Sequence, residues 1–580
     1  MSWLEKVQNS SQNWIKIANE TFNSDSIRNF QEQVFKASTA TTFSPSQLGI
    51  LSGILIALLV NAKNHKQHQK FINNLKSSNV LSLVKVIGIC FVVVPLFVGI
   101  LGIFLIYRSF VNVILNLKYG TRYRGILDAN DAIWTVEDHT WKSVINILAI
   151  LEGQQPNKTS NNPEDIVLLI QEKFRNLQSY TSEPYRKVYY KLNRELGYSF
   201  WTTDNINIDN YVRLIEVPCS SEYLNLKDLQ LWLENTSNNI LPNNHSALWE
   251  ILISSKPFKE DKKLKYPIIC RVHHSLGDGV ALLRFFLEAI ADQDATKTRP
   301  LNHHRKLEIN VRKTITELLR WTKLIGSIPF HIVQHFSDSS DNNTLHGPRL
   351  SGQKVSAWFH ESSVDLLPRL RKLKRTIPHS RFSDIILTAL SASLNNHFKK
   401  VSHPVPEVLR IIVPARIEAP STDFRLENKF SVAVQKLPII QMSSESLSVS
   451  RMVTRVKRET DLVRSKPDYV INYGIMRVFG YLLPYPMLSG ILDSKLATMV
   501  FSNLPGPVEE ATLGNYRIAN LSFSVPHRDL TGVGFTLLTY AGRIQIAICA
   551  DKNLISSALE ASKILQDTYN NLKYFVTVSE

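Results

Sequence analysis

The chain has 580 residues, enough for about two to four domains, with 44% hydrophobic and 20% charged residues. This usage is typical of globular proteins and excludes a mostly disordered chain. Lys plus Arg exceed Asp plus Glu by 67 to 50, a formal charge of +17 that favours anionic partners. No zinc finger, RNP motif or basic-region heptad occurs, so no nucleic-acid partner is expected. The four cysteines have no CxxC spacing, which predicts neither a disulfide framework nor a thiolate metal site.

Two apolar runs follow a polar or amphipathic N-terminal segment, residues 1–46. The first has its apolar centre at Leu48–Ala62, and the second, Val86–Tyr107, has 22 residues without a charge. A helix of that length spans the roughly 30 Å hydrocarbon layer of a bilayer. Gly49 and Gly53 form a small-xxx-small step that permits close helix packing. We therefore expect residues 47–107 to form two membrane helices or a hairpin.

The charges around these runs do not assign an orientation. The loop at 63–85 carries five lysines and no acid, and the segment at 108–124 is also basic without an acid. Cytoplasmic loops attract Lys and Arg, so the rule favours both segments for the same side. A hairpin that enters and leaves on one face and two full crossings therefore both stay open.

Beyond Thr121 the chain predicts an α/β body. Stretches rich in β-branched residues, such as Tyr266–Val272 and Phe535–Ala550, predict strands. Apolar residues at helical spacing over Val280–Gln293 and Ser383–Phe398 predict helices between them. The Ser-, Asn- and Gly-rich stretch at 337–353 predicts the domain boundary.

The segment RVHHSLGDGVALLRFF places His273, His274, Asp278 and Gly279 between a predicted strand and an amphipathic helix. A neutral imidazole in such a loop can accept a proton from an alcohol near pH 7. Asp278 and Gly279 fit a tight turn and a helix N-cap. A bare HxxxD pattern would favour a cap and packed histidines, whereas HHxxxDG between a strand and a helix is a much more specific indication of a site.

HHSLGDG resembles the HHxxxDG signature of the bifunctional wax ester synthase/diacylglycerol acyltransferases, which belong to the chloramphenicol acetyltransferase-like superfamily. The resemblance runs in collinear order over about residues 125–572. Further segments carry it: LDANDAIWTVED (Leu127–Asp138), ALWEILI (Ala247–Ile253), LHGPRLSGQKVSAWF (Leu345–Phe359), FSDIILTALSASL (Phe382–Leu394), VPARIE, ENKFSVAVQKLPI, SNLPGP (Ser502–Pro507) and LLTYAGRIQIAICAD (Leu537–Asp551).

The resemblance implies an α/β fold with two chloramphenicol acetyltransferase-like halves, at 121–345 and 346–580. Each half would be a mixed sheet flanked by helices, and a central channel would run between them. Preceding them would be the hydrophobic helical hairpin. Acyl-CoA would enter as a co-substrate, with no cofactor and no metal.

The resemblance also implies roles for the motif residues. His274 would be the general base that deprotonates a fatty alcohol or diacylglycerol, whose oxygen then attacks acyl-CoA without an acyl-enzyme. The absence of a GxSxG sequence agrees with this direct transfer. His273 and Gly279 would shape the turn, and Asp278 would hold the loop in a structural role.

Three further residues are implied to bind substrate: Ser383, Asp384 and Asn503. The family usually has Asn-Asp where this chain has Ser383-Asp384, so a shorter hydroxyl replaces the amide that would orient the substrate carbonyl. Asn503, beside Pro505-Gly506-Pro507, reads first as part of a rigid turn and, by the resemblance, as a residue of the acyl channel.

The expected protein is thus an acyltransferase that makes wax esters, triacylglycerol or both, with membrane lipid as a partner. The endoplasmic reticulum or plasma membrane is the expected location, with the catalytic part facing the cytosol. Two alternatives stay open: an inactive or weak member that serves as a lipid-binding scaffold, and an acyltransferase for an amine or phenol.

Overall fold

The computed structural model describes residues 94–138, 140, 142–153, 162–179, 183–242, 248–260, 263–292, 340–401, 404–417, 424–442, 448–491 and 495–579. The N-terminal segment 1–46, the apolar run Leu48–Ala62 and the start of the second apolar run lie outside these residues. The predictions made for them are therefore untested.

A mixed sheet of seven strands carries the HHxxxDG segment at one end. The strand order is β13-β14-β2-β8-β6-β5, and β7 pairs with β8. Only β5 and β6 pair in parallel; the other pairs are antiparallel. The apolar run of β6 is buried throughout, as expected for a strand covered on both faces. The strands are β2 Val144–Gly153, β5 Val212–Ile215, β6 Trp249–Ser254, β7 Phe258–Glu260, β8 Lys263–His273, β13 Thr512–Leu513 and β14 Tyr516–Ser524.

A second mixed sheet has six strands in the order β11-β10-β12-β15-β16-β9. Strand β12 pairs in parallel with β10 and with β15, and the remaining pairs are antiparallel. The strands are β9 Lys354–His360, β10 Val408–Arg416, β11 Phe430–Pro438, β12 Met499–Pro505, β15 Val533–Tyr540 and β16 Arg543–Asp551.

The predicted strand stretch Phe535–Ala550 forms two strands rather than one. β15 and β16 pair with Tyr540 opposite Arg543, and Ala541-Gly542 joins them. Both turn residues have positive φ, 51° and 74°, as a two-residue hairpin turn requires. Alanine seldom adopts this conformation, so Ala-Gly lacks the Asn-Gly signal that would have indicated the turn.

A small antiparallel sheet, in the order β1-β4-β3, and twelve helices surround these sheets within the described ranges. Its strands are β1 Tyr123–Ile126, β3 Tyr190–Glu195 and β4 Tyr198–Thr203. The helices are α1 Val94–Tyr119, α2 Ala129–Ile133, α3 Pro163–Ser179, α4 Glu183–Arg186, α5 Leu226–Asn238, α6 Gly279–Phe285, α7 Leu366–Thr376, α8 Phe382–Val401, α9 Val449–Ser465, α10 Asp468–Leu482, α11 Tyr485–Ile491 and α12 Ala558–Ser579.

The second apolar run continues as helix α1 well past its predicted end at Tyr107. Arg108 does not end the helix because its side chain is buried, donates to the Leu127 carbonyl at 3.1 Å and lies 4.0 Å from the centre of the Tyr481 ring. Val111 and Leu115, one and two turns later, are fully buried. By length and composition, the window Val98–Arg122 is the one helix of the described ranges suited to cross a membrane, and 17% of it is buried.

The predicted mixed α/β architecture is confirmed, with one qualification on how the chain builds it. β13 and β14 come from the last sixth of the sequence but belong to the sheet that also contains β2 and β8. The two sheets are therefore not made of two consecutive stretches of chain. The proposed domain limits and the central channel stay predictions.

Candidate active site

The HHxxxDG segment joins the end of β8 to the start of α6. His273 is the last residue of β8, and Gly279 is the first residue of α6. Asp278 is the N-cap, and its carboxylate accepts the backbone N–H of Ala281 at 2.9 Å. The predicted strand, turn and helix are therefore all present, although α6 is shorter than expected and passes into one π-helical turn at Phe286–Ile290.

The first histidine of the motif has both ring nitrogens engaged. Its Nδ1 lies 2.7 Å from the Ser275 hydroxyl, and its Nε2 lies 3.3 Å from a Glu137 carboxylate oxygen. Glu137 also accepts the backbone N–H of Ser143 at 2.6 Å. Burial alone would raise the pKa of Glu137, but the hydrogen bonds from His273 and Ser143 outweigh burial and lower it. His273 is thus held as part of the loop.

The second histidine has one engaged nitrogen and one that faces no protein partner. His274 is 8% exposed, and its Nδ1 lies 3.0 Å from the Asn428 side-chain oxygen. In the part of the chain that the structure describes, Nε2 has no hydrogen-bond partner. Burial lowers the pKa of His274 to about 3, so the ring is neutral near pH 7 and can accept a proton.

Two aromatic rings pack on His274. The Trp134 indole stacks on the imidazole with ring centres 3.8 Å apart and planes 16° apart. The Phe430 ring, with centres 5.6 Å apart, is tilted against the same imidazole. The indole N–H of Trp134 is buried and has no hydrogen-bond partner among the described residues. The His274 ring therefore has an electron-rich ring face on it and, among the described residues, an unused N–H donor in its neighbourhood.

The Asn428 side chain is itself fixed by two acceptors. Its amide nitrogen donates to the Asp131 carboxylate and to the His274 carbonyl, both at 2.8 Å. Lys187 donates to the other Asp131 oxygen at 2.7 Å. Burial raises the pKa of Asp131, and Lys187 opposes that rise. These contacts join residues nearly 300 positions apart, from α2, the motif loop and the segment before β11.

Asp278 is fully engaged with the protein. Both of its carboxylate oxygens lie 2.9 Å from the same terminal nitrogen of Arg416, at the end of β10, and one accepts the Lys429 backbone N–H at 3.0 Å. The Asp278 backbone N–H in turn donates to the Glu427 carbonyl at 3.1 Å. Segment 427–429 is thereby fastened along the motif loop, so Asp278 joins the two parts of the site.

The SNLPGP segment contacts the motif through Leu504. A Cβ atom at Gly279 would lie 2.9 Å from Leu504 Cδ1, so a side chain there would force Leu504 to move. Asn503, by contrast, is exposed on β12. Its predicted part in an acyl channel is untested.

Ser383 and Asp384 lie in the first turn of α8. Asp384 is fully buried, and its carboxylate accepts the Arg381 backbone N–H at 2.8 Å; its other oxygen has no hydrogen-bond partner among the described residues. α8 packs with α12 in the core of the second sheet, where Ile385, Leu390 and Ile564 are buried. Ser383 and Asp384 therefore lie at the N-terminal end of α8, and their substrate-binding role stays a prediction.

Four residues of this site were not singled out from the sequence: Asp131, Trp134, Arg416 and Asn428. All four lie within segments quoted for the family resemblance. The sequence therefore indicated that these segments matter, but it did not indicate what each of the four residues does. Within the described ranges, no group of three or more His, Cys, Asp or Glu side chains is placed to hold a metal ion.

Comparison with known sequences gives the same assignment for the C-terminal part. Residues 426–573 match the WS/DGAT C-terminal domain, a region that begins two residues before Asn428. The chain is 22% identical over 423 residues to wax ester synthase/diacylglycerol acyltransferase 9 of Arabidopsis thaliana, covering 65% of this chain and 83% of that protein. It is also 22% identical over 335 residues to a probable diacylglycerol O-acyltransferase of Mycobacterium tuberculosis, covering 53% and 68% respectively.

Comparison with solved structures identifies the fold. The wax ester synthase/diacylglycerol acyltransferase from Marinobacter aquaeolei superposes with a TM-score of 0.52 at 15% identity, covering 78% of this chain and 99% of that one. The two sheets and the histidine loop at the end of β8 thus share the fold of that enzyme. The chain is therefore similar in sequence and in fold to wax ester synthase/diacylglycerol acyltransferases, and its residues 426–573 match the C-terminal domain of that family.

Proposed function

We propose that the protein transfers a fatty acyl group from acyl-CoA to the hydroxyl of a long-chain alcohol, of diacylglycerol, or of both. The observation that carries this is the free Nε2 of the buried, neutral His274. Nε2 takes the hydroxyl proton as the alcohol oxygen attacks the thioester carbonyl. When the tetrahedral intermediate collapses, the C–S bond breaks and the imidazolium returns the proton to the CoA thiolate.

The environment of His274 suits this cycle of proton gain and loss. A buried imidazolium is unfavourable, and no carboxylate contacts the His274 ring among the described residues. The Trp134 face supports the transient cation because a π-system attracts positive charge. Its buried indole N–H adds a donor for a substrate oxygen, which would stabilise charge that develops during attack.

The choice of acceptor follows from the relatives and from α1. The relatives named above are a wax ester synthase/diacylglycerol acyltransferase and a probable diacylglycerol O-acyltransferase, so both acceptors are proposed. α1 exposes Leu96, Ile103 and Ile106 by 60% or more, an apolar face suited to lipid. We propose that α1 anchors the enzyme to the membrane that holds its acceptor, in the endoplasmic reticulum or plasma membrane with the catalytic part in the cytosol. No cofactor besides the co-substrate acyl-CoA is proposed.

The alternative, a lipid-binding scaffold without activity, rests on Ser383 in place of the usual asparagine. The arrangement of His274 argues against it, because a protein that only binds lipid has no use for a base held in one orientation by Asn428 and Trp134.

The deciding experiment is an acyl-transfer assay on the purified full-length protein in detergent. Labelled acyl-CoA is offered with a long-chain alcohol and with diacylglycerol side by side, and with an amine and a phenol as controls. We expect ester formation on one or both lipid acceptors, and a loss of at least about a hundredfold in His274→Gln. His273→Gln should lose less. Normal activity in His274→Gln contradicts the mechanism, and no turnover by the wild-type protein favours the scaffold.

The anchor is tested with a truncated protein that starts at Leu101. This start keeps Leu101, Phe104 and Arg108, which pack against the body, and removes the first apolar run. Ile103→Asp and Ile106→Asp are added to remove the exposed apolar face of α1 that the truncation keeps, and the resulting protein should leave membranes on high-salt washing yet still acylate short alcohols. Retention after high-salt and alkaline washing would show that another segment embeds in the membrane.

A further inference from the structure

An amide links the base of this site to a buried carboxylate. His274 Nδ1, the Asn428 side chain, Asp131 and Lys187 form one continuous series of contacts of 2.7 to 3.0 Å. The side chains of Asp131 and Lys187 are 8% and 13% exposed, so the series is shielded from water. Three other carboxylates near the loop are engaged elsewhere: Glu137 with His273, Asp278 with Arg416, and Glu427 with Arg416 and Lys429.

We propose that Asn428, held by Asp131, is a positioning residue that, together with the contact between the ring and the His274 main chain, fixes the tautomer of His274 and so keeps its Nε2 free to accept a proton. This rests on the proposed function of His274 as the base. In this proposal the Asp131 carboxylate orients His274 indirectly, through the neutral amide of Asn428.

The tautomer of His274 depends on which end of the Asn428 amide faces the imidazole ring. An asparagine side chain presents either an oxygen acceptor or an NH₂ donor. Two acceptors, the His274 carbonyl and the Asp131 carboxylate, whose other oxygen accepts from Lys187, both lie 2.8 Å from the Asn428 nitrogen. They fix the NH₂ group on their side, which leaves the oxygen toward Nδ1. Nδ1 must then carry the hydrogen, and Nε2 carries the lone pair.

The reverse orientation would disable the base. If the NH₂ group of Asn428 faced the ring, Nδ1 would accept and Nε2 would carry the hydrogen. Such a ring cannot take a proton from an alcohol through Nε2. In a serine protease, replacing the orienting aspartate by asparagine leaves the geometry intact but lowers kcat by about 10⁴ through the wrong tautomer. The intervening amide makes a smaller effect the expectation here.

The test is Asp131→Asn in the full-length protein. An amide at 131 can donate as well as accept, so Asn428 is free to turn. We expect kcat to fall by about tenfold to a hundredfold with KM little changed. ¹⁵N NMR of histidine-labelled protein, with the His274 signals assigned by their loss in His274→Gln, should show a protonated Nε2 in the variant and an unprotonated Nε2 in the wild type.

Asp131→Asn also breaks a buried ion pair, which by itself lowers stability. Asp341→Asn is the matched control for that effect. The Asp341 side chain is 4% exposed and pairs at 2.9 Å with Arg410, which lies near the start of β10 in the second sheet. This variant should lose thermal stability as Asp131→Asn does, while kcat and the His274 signals stay as in the wild type. A double variant, Asp131→Asn with Asn428→Asp, returns an acceptor to Nδ1 but loses the bond to the His274 carbonyl, so it should recover part of the kcat lost in Asp131→Asn.

The pH dependence of kcat in Asp131→Asn is a second measurement of the same effect. Besides Asp131 and Lys187, the titratable groups around His274 are the neighbouring His273 and, beyond it, Glu137. These are unchanged in Asp131→Asn, so the lower kcat should persist across pH 6 to 9. A kcat within twofold of wild type, or an unprotonated Nε2 in Asp131→Asn, overturns the inference. If the wild-type protein has no activity, the proposed function fails, whereas the NMR comparison still decides the tautomer.

Discussion

Two aspartates of this protein sit at helix starts in segments that resemble family motifs, yet their surroundings differ. Asp278 caps α6 and also binds Arg416 and the Lys429 N–H, which lie far along the chain. Asp384 caps α8 through the Arg381 N–H, a contact three residues away, and its second oxygen is without a partner among the described residues. The first carboxylate therefore joins distant segments into a site, whereas the second mainly starts a helix.

The largest expected difference between the two aspartates is the loss of stability when each is replaced by alanine. Asp278→Ala removes one of the two ion pairs of Arg416, which keeps Glu427, and losing such a charged hydrogen bond costs about 1.5–3 kcal/mol in addition to the N-cap contact. Asp384→Ala removes a local cap contact and should cost about 1 kcal/mol. Thermal unfolding and kcat measured together check this. Asp278→Ala should lose rate along with stability, because segment 427–429 loosens from the loop.

A loss of rate in Asp278→Ala at unchanged stability would contradict the structural role, since that pattern belongs to a carboxylate that takes part in chemistry. Asp384→Ala should keep most of its kcat. A collapse of kcat there at normal stability would instead place the start of α8 in the reaction.

The second prediction compares aromatic side chains in the same two regions. Trp134→Leu removes the ring stacked on His274 and should lower kcat about tenfold, since a desolvated cation–π contact contributes on the order of 1–2 kcal/mol. Trp134→Phe keeps a ring face but not the N–H, so it separates the two contributions. Phe398→Leu, in the fully buried part of α8, is the control. It should lose stability without a specific loss of kcat.

The two regions also differ in which of their features the sequence predicts. Strand β8, the turn and helix α6 were predictable because β-branched residues, the Gly-Asp-Gly turn and the apolar spacing are local signals. The contact between Asn428 and His274 was not, because 154 residues separate them and no spacing rule relates the two. The turn at Ala541-Gly542 was missed for another reason, since a packed sheet overrode the preference of alanine for negative φ.

The third prediction concerns a property that the two regions share. Burial lowers the pKa of His274 in the loop to about 3, and it also lowers the pKa of His397 on α8, where Glu560 opposes it. Both folded pKa values lie below the unfolded value of about 6.5, so the unfolded chain binds more protons in acid. Stability should be full above pH 6.5 and fall below it, by about 1.4 kcal/mol per pH unit for His274 until its folded pKa is reached, and His397 should add to the fall with the same sign.

Calorimetry between pH 7.5 and 4.5 measures that slope. His274→Gln and His397→Gln should each flatten it, because each removes one protonation that favours unfolding. His360 and His527, whose pKa values burial also lowers to about 3, contribute the remaining slope. A slope unchanged in both variants would mean that neither ring is kept neutral in the folded protein.

The smallest effect is expected at Ser383, where the chain departs from the asparagine usual in the family that it resembles. If the hydroxyl orients the substrate carbonyl as predicted, Ser383→Ala removes one neutral hydrogen bond of about 0.5–1.5 kcal/mol. That corresponds to an increase of about twofold to twelvefold in KM with kcat nearly unchanged, measured on the preferred acceptor. Ser383→Asn restores a group that can make the same bond with a longer reach, so its KM should equal or fall below that of the wild type. Because Asp384 remains in place and keeps its bond to the Arg381 N–H, neither change should move the unfolding midpoint. A KM that is insensitive to both changes would take Ser383 out of the substrate site and leave the start of α8 as a helix cap only.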